Sequence, residues 1–195
     1  MIAAPPRSAW PLLLGGLIGW GASVTLLVDK FKLFTDPGFQ PLCNIDQVVA
    51  CTTVMQSDQA NAFGFPNPII GVVGFSVVVT LGVLAVAGIA FPRWIWGGLW
   101  FGLLLGVAFI CWLIYEAVFN IRALCPWCMV VWAVVPPLLA IVTGQLWGKS
   151  RGFLQIVVEW RWTVVAVYYA VVILIVYIQF QDHWRSLAMP AVTAF

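Results

Sequence analysis

Charge is what this sequence has least of. Only 8% of its 195 residues are Asp, Glu, Lys or Arg, against about 25% in an average soluble domain. So few charges cannot cover a surface that faces water. Histidine is scarcer still: His183 is the only one. Zinc usually takes four ligands from Cys, His or carboxylate, so a metal centre is disfavoured and none is expected. Hydrocarbon is in excess, with 63% hydrophobic residues and a mean hydropathy of +1.03. This is the composition of an integral membrane protein.

Five apolar runs reach the roughly 20 residues needed to cross a bilayer: Trp10–Val28, Ile69–Phe91, Trp94–Tyr115, Cys125–Trp147 and Trp162–Phe180. None contains a charged residue. Backbone groups in lipid must bond within their own segment, so each run is predicted to be a helix. The pattern does not alternate as a β-barrel strand would. The expected fold is all-α, a bundle in one membrane domain over residues 1–195. The opening "MIAAPPRSAW" makes a poor cleavable signal, and the first run is read as a retained span.

An odd number of spans puts the termini on opposite sides. With the N-terminus cytoplasmic, Arg7, Arg93, Lys149, Arg151 and Arg161 face inward, while Lys30, Lys32, Arg122 and Arg185 face outward. The margin is small, but the inner charges sit in short connections, where the positive-inside rule applies best. N-in, C-out in a plasma or inner membrane is therefore expected. Cys43, Cys51, Cys125 and Cys128 then gather on the outer face, where disulfides persist. Cys111, deep in the third span, reads as a small buried hydrophobe. His183 reads as a solvated end residue, and Arg122 as a surface marker or a thiolate neighbour.

The outer loop, residues 29–68, is long, and such loops are usually functional or disordered. Ile45, Val48, Val49, Thr52 and Met55 have helical spacing. They predict a short amphipathic helix on the outer surface, capped by Asn44 or Asp46. Pro66 and Pro68 are expected to keep Phe65 and Asn67 out of helical geometry. Cys43 and Cys51 stand eight residues apart, about 12 Å on one helix, whereas a disulfide needs Cα atoms within about 7 Å. Either Cys43 lies outside the helix on a segment that folds back, or the two thiols bond elsewhere. A loop staple and a redox shuttle both remain open.

"CPWC", Cys125 to Cys128, opens the fourth run. Thiols at i and i+3 can bridge, and Pro126 suits the first helical position. Free N–H groups and the helix dipole favour a thiolate there. Redox chemistry is the preferred reading, with a structural disulfide or a metal site as alternatives. Two thiols at the mouth of a membrane helix can take electrons from the aqueous side and pass them to an acceptor in lipid. Elsewhere, Gly98, Gly102 and Gly106 form a four-spaced ridge that predicts close helix packing. Pro136 and Pro137 predict a kink in the fourth span.

The order Cys43-x7-Cys51, then Ser57, then "FPNPIIG" with Asn67, then "CPWC" resembles the vitamin K epoxide reductase family, its bacterial members in particular, over nearly all of residues 10–147. The resemblance implies a four-helix bundle around a quinone pocket, a half-helix above it and here a fifth span. It implies a quinone-reducing thiol oxidoreductase, with the quinone either menaquinone or ubiquinone. The partner would be a secreted or membrane-anchored thioredoxin-fold oxidase, DsbA-like and a separate protein, and the net product disulfide bonds in exported proteins. In this likeness Cys128 faces the quinone, Cys125 resolves it, Cys51 relays electrons to Cys125, and Cys43 exchanges with the partner. Asn67 would hydrogen-bond a quinone carbonyl, and Ser57 would serve structure or proton handling. Phe65, with Phe63, Trp112 and Trp127, would wall the pocket. Trp132 stands where vertebrate members carry a substrate-bonding tyrosine, which weakens any expectation of epoxide reduction. Alternatives are that epoxide activity and, in another class, a metal-handling membrane protein.

Overall fold

The computed structural model describes residues 1–36, 38–148 and 150–188, with the side chains of 186–188 left aside. The described residues are mostly helical, with no sheet among them. Five helices are long and apolar enough to span a membrane: α1 (Pro6–Thr35), α3 (Pro68–Val86), α4 (Arg93–Tyr115, continued by a π-helical turn over Glu116–Ile121), α5 (Pro126–Trp147) and α6 (Phe153–Gln179). A short α2 (Cys51–Gln56) lies in the first long loop, and α7 (Gln181–Ala188) follows α6.

The spans stand where the apolar runs predict, but their ends differ. A run stops at the first charge; a helix stops where its backbone is capped. α1 therefore continues past Asp29, Lys30 and Lys32 to Thr35, where extended Asp36 precedes a proline. α3 ends early, at Val86. Gly88 has φ +81°, and the N–H groups of Gly88 and Ile89 bond back to Ala85 and Leu84, the pattern of a Schellman stop. Residues 89–91 then leave the helix, and Phe91 pairs with Ile2 at the far end of the bundle. α6 begins nine residues before the run at Trp162, because Glu159 and Arg161 interrupt the apolar run without breaking the helix.

Helices α1, α3, α4 and α5 form the bundle. α1 packs on α3 and α5, α4 packs on α5, and α6 leans on the outside of α5. The close approaches come from α1 and α3. A Cβ on Gly19 would lie 2.2 Å from the Phe75 ring, and one on Gly82 would lie 2.8 Å from the Leu13 backbone. The ridge Gly98, Gly102, Gly106 was expected to do this and does not. Gly98 and Gly102 have nothing within 4 Å of a Cβ, and all three line a cavity between α3 and α4. Cys111 is a second correction: it is exposed on the bundle surface rather than buried in its interior.

Pro136 and Pro137 lie within α5, which runs unbroken from Pro126 to Trp147. Each proline lacks the N–H that would bond the carbonyl four residues earlier, which leaves the oxygens of Trp132 and Ala133 without helical partners. Tyr168 and Tyr169 of α6 supply them: the Tyr168 hydroxyl donates to Trp132 O at 3.3 Å, and the Tyr169 hydroxyl donates to Ala133 O. The fifth span thus repairs the backbone of the fourth at a residue lining the cavity. Tyr168→Phe combined with Tyr169→Phe should lower stability by about 1 kcal/mol, near the sum of two average interhelical hydrogen bonds in membranes. Denaturation in detergent checks this, and Phe at the exposed Tyr177 serves as the control.

Candidate active site

The segment before α2 decides how the thiols meet. Asp46 accepts hydrogen bonds from the N–H groups of Val48 (2.8 Å) and Val49 (2.7 Å), and Ile45 N–H bonds Val49 O. This side-chain turn competes with helix, so the helix predicted from Ile45 starts only at Cys51, and Ile45 is exposed. Asn44 still serves the first turn, accepting from Thr52 N–H at 3.0 Å. Val49 then forms a parallel bridge with Leu124: Leu124 N–H donates to Val48 O (2.7 Å), and Ala50 N–H donates to Leu124 O (3.0 Å). The residues that leave this bridge on its two sides are Cys51 and Cys125.

Cys43 folds back outside the helix and is disulfide-bonded to Cys51, with Cα atoms 5.7 Å apart. On the other side, Cys51 Sγ lies 3.2 Å from Cys125 Sγ. Both Cys51 and Cys125 are buried, and with Leu26, Met55 and Cys43 they form a small apolar cluster at this end of the bundle. Cys125 is the N-cap of α5, Pro126 its first residue and Cys128 its third. As the residue capping α5, Cys125 stands at the helix end where the free N–H groups and the positive end of the dipole favour a thiolate. That is the setting of a reactive rather than an inert cysteine.

Below the cysteines lies a cavity of about 970 Å³. It follows α4 from Trp94 to Leu113, roughly 28 Å at 1.5 Å per residue. Its walls are almost wholly apolar, and its polar groups are few. Cys125, Cys128, Ser57, Asn67 and Trp132 line it, together with Lys30. This suits a flat, mostly apolar ligand held by a few polar contacts.

Asn67 has helical angles (φ −53°, ψ −34°), contrary to the expectation from Pro68; it immediately precedes α3. Its side chain ties the loop: Oδ1 accepts from Ala62 N–H at 3.0 Å, and Nδ2 donates to Gln59 O at 2.7 Å. One amide N–H stays available to the cavity. Ser57 donates to Val54 O at 2.8 Å. Trp132 is buried, and its indole N–H takes no acceptor among the described residues. Phe65 is 41% exposed and stacks on Phe63; the wall position belongs to Phe63 and Phe109. Trp112 borders a separate shallow pocket with Asp58, and Trp127 packs on the cysteine cluster. Arg122 is exposed with φ +56°, turning the chain between the π-helical turn and Leu124. His183 is not a solvated end residue. Its side chain is largely buried, with Nε2 3.5 Å from Asp46 Oδ2.

Two residues escaped the sequence reading. Lys30 and Met55 lie inside the site. Lys30 was assigned to the outer loop because it follows the apolar run. Yet Leu12, Gly16, Gly19, Ser23, Leu26 and Lys30 continue one buried stripe of α1 at three- and four-residue steps, and that spacing was the available signal.

The family model described as Vitamin K epoxide reductase family matches residues 10–143, more than two-thirds of the chain. The matched stretch runs from α1 into the last turns of α5 and leaves α6 and α7 outside. If Cys51 exchanges between Cys43 and Cys125, removing Cys43 should redirect it. Cys43→Ala is expected to accumulate a Cys51–Cys125 disulfide, read by non-reducing proteolysis and mass spectrometry.

Proposed function

The chain belongs to the vitamin K epoxide reductase family, whose members are quinone-linked oxidoreductases of thiols or epoxides, and from that premise we propose that it oxidises a thioredoxin-fold partner with a membrane quinone. The observation that carries this reading is Cys51. Its sulfur is bonded to Cys43 on one side and stands 3.2 Å from Cys125 on the other. Sulfur exchange needs a thiolate in contact with a disulfide sulfur, and here a single sulfur adjoins both partners.

The partner's dithiol attacks the Cys43–Cys51 disulfide and leaves both cysteines reduced. The Cys51 thiolate then attacks Cys125 of a Cys125–Cys128 disulfide, and Cys43 resolves the mixed disulfide. The exchange returns Cys43–Cys51 to the disulfide form and leaves Cys125 and Cys128 as thiols. A quinone supplies the final acceptance of two electrons and two protons. In the cavity, Cys128 presents sulfur to it, while the free N–H groups of Asn67 and Trp132 orient it. The apolar walls exclude water and take a hydrocarbon tail. The site opens on the outer face of the membrane, so the partner is exported. The thiol reaction is favoured over epoxide reduction because Trp132 offers an N–H where an acidic hydroxyl would serve.

Purified protein, a reduced thioredoxin-fold oxidase and a short-chain quinone test this. Quinone absorbance should fall with wild type. Cys128→Ala should slow that loss on the order of 10³-fold or more, as removal of a nucleophile does. Unchanged turnover in Cys128→Ala would remove this cysteine from the chemistry.

A further inference from the structure

Among the described residues, Lys30 is the only charged one lining the cavity. It is 5% exposed, whereas Lys32, two residues on, faces outward. A lysine near the end of a membrane helix ordinarily extends its ammonium to the interface. This one turns inward. Its Nζ donates to the carbonyl of Met55, in the last turn of α2, and lies 5.3 Å from the Phe34 ring centroid. An ammonium has three donors, and no carboxylate forms an ion pair with it among the described residues. A buried cation without a counter-charge is expensive. One acceptor and one ring do not offset that, so the structure holds this side chain against the cavity at a cost.

We propose that the Lys30 ammonium is a catalytic residue, placed to hold the negative charge that develops on a quinone oxygen as the Cys125–Cys128 dithiol is oxidised. This rests on the quinone reading above. In the balanced step, two thiols give up two electrons and two protons. The sulfurs join as a disulfide, and the acceptor becomes a quinol with one proton on each oxygen. Electrons reach the ring before both protons do, so one oxygen is transiently anionic. A fixed cation in an apolar cavity stabilises that charge with no reorganisation, as an oxyanion-hole donor does. The amide of Asn67 and the indole of Trp132 are neutral and orient the acceptor; Lys30 alone supplies charge.

A structural reading competes, in which Lys30 only caps α2 through Met55. The experiment separates the two by measuring both half-reactions in Lys30→Met and Lys30→Arg. Thiol exchange between Cys43–Cys51 and a small dithiol reports the position of α2. Oxidation of the pre-reduced protein by a short-chain quinone reports the cavity. The proposal expects Lys30→Met to slow the quinone step about 100-fold, the effect of losing one such donor, with thiol exchange within twofold of wild type and Lys30→Arg recovering much of the loss. An unchanged quinone step, or equal slowing of both, would overturn it. Binding gives a readout without turnover and needs no variant. A hydroxyquinone ionised at neutral pH should bind wild type at least tenfold more tightly than a neutral quinone of the same size, and Lys30→Met should lose that preference. Equal binding to wild type would overturn the proposal even if the variant failed to fold. Should wild type reduce no quinone at all, the functional reading falls and takes this proposal with it. Should wild type reduce quinone and Lys30→Met keep pace, the proposal alone falls.

Discussion

Two sulfurs held 3.2 Å apart by one parallel bridge are the constraint on which the structure turns. Cys51 and Cys125 are 74 residues apart in the chain. Without an anchor, the long first loop would spread Cys51 over many positions. The anchors are local and polar. Asp46 folds residues 46–49 into a tight turn, Asn44 binds the first turn of α2, and Leu124 exchanges backbone hydrogen bonds with Val48 and Ala50. His183, near the other end of the chain, meets Asp46 from α7. The carboxyl of Asp46 is held below its usual range, first by the N–H of Val49. The loop is therefore ordered by hydrogen bonds that weaken only as pH falls from the usual carboxylate value through the lowered one.

The second constraint is that the bundle stays open next to these sulfurs. α1 and α3 are drawn together by glycines, whereas Gly98 and Gly102 of α4 face the cavity with nothing within 4 Å of a Cβ. The same residue type brings helices together on one side and hollows the interior on the other. α5 bears the consequence. It carries the Cys-x-x-Cys at its start and two prolines in its middle, and α6 restores the two backbone bonds those prolines remove. The fifth span thus acts on the cavity wall at Trp132 without lining the cavity itself.

Much of this was legible in the sequence. Length, hydropathy and the absence of charge pointed to five spans, and the spacing of Cys43 and Cys51 left two options, Cys43 off the helix or the thiols bonded elsewhere, of which the structure has the first. Misreadings arose where a short-range rule met a specific hydrogen bond. Helical spacing from Ile45 lost to the Asp46 turn. The bias of Pro68 against a helical predecessor lost to the two side-chain bonds of Asn67. Packing errors had another origin. A glycine ridge fits both a close contact and a hollow, and no local pattern distinguishes them. Likewise, Cys111 within an apolar run faces either lipid or core, and periodicity on so uniformly apolar a helix does not say which. Lys30 was missed because charge was taken to end a span, although the buried stripe of α1 runs through it. Phe63 and Phe65 lie two apart in an irregular loop, where no period selects the inward-facing ring.

The central claim is that electrons leave the thiols toward the lipid through Cys125 and Cys128 and are replaced through Cys51. Rapid mixing of fully reduced protein with one equivalent of quinone, followed by acid trapping and disulfide mapping over time, tests it most directly. The account predicts that Cys125–Cys128 appears first and gives way to Cys43–Cys51 through a Cys51–Cys125 species. Appearance of Cys43–Cys51 first, with Cys125 and Cys128 still reduced, would contradict it.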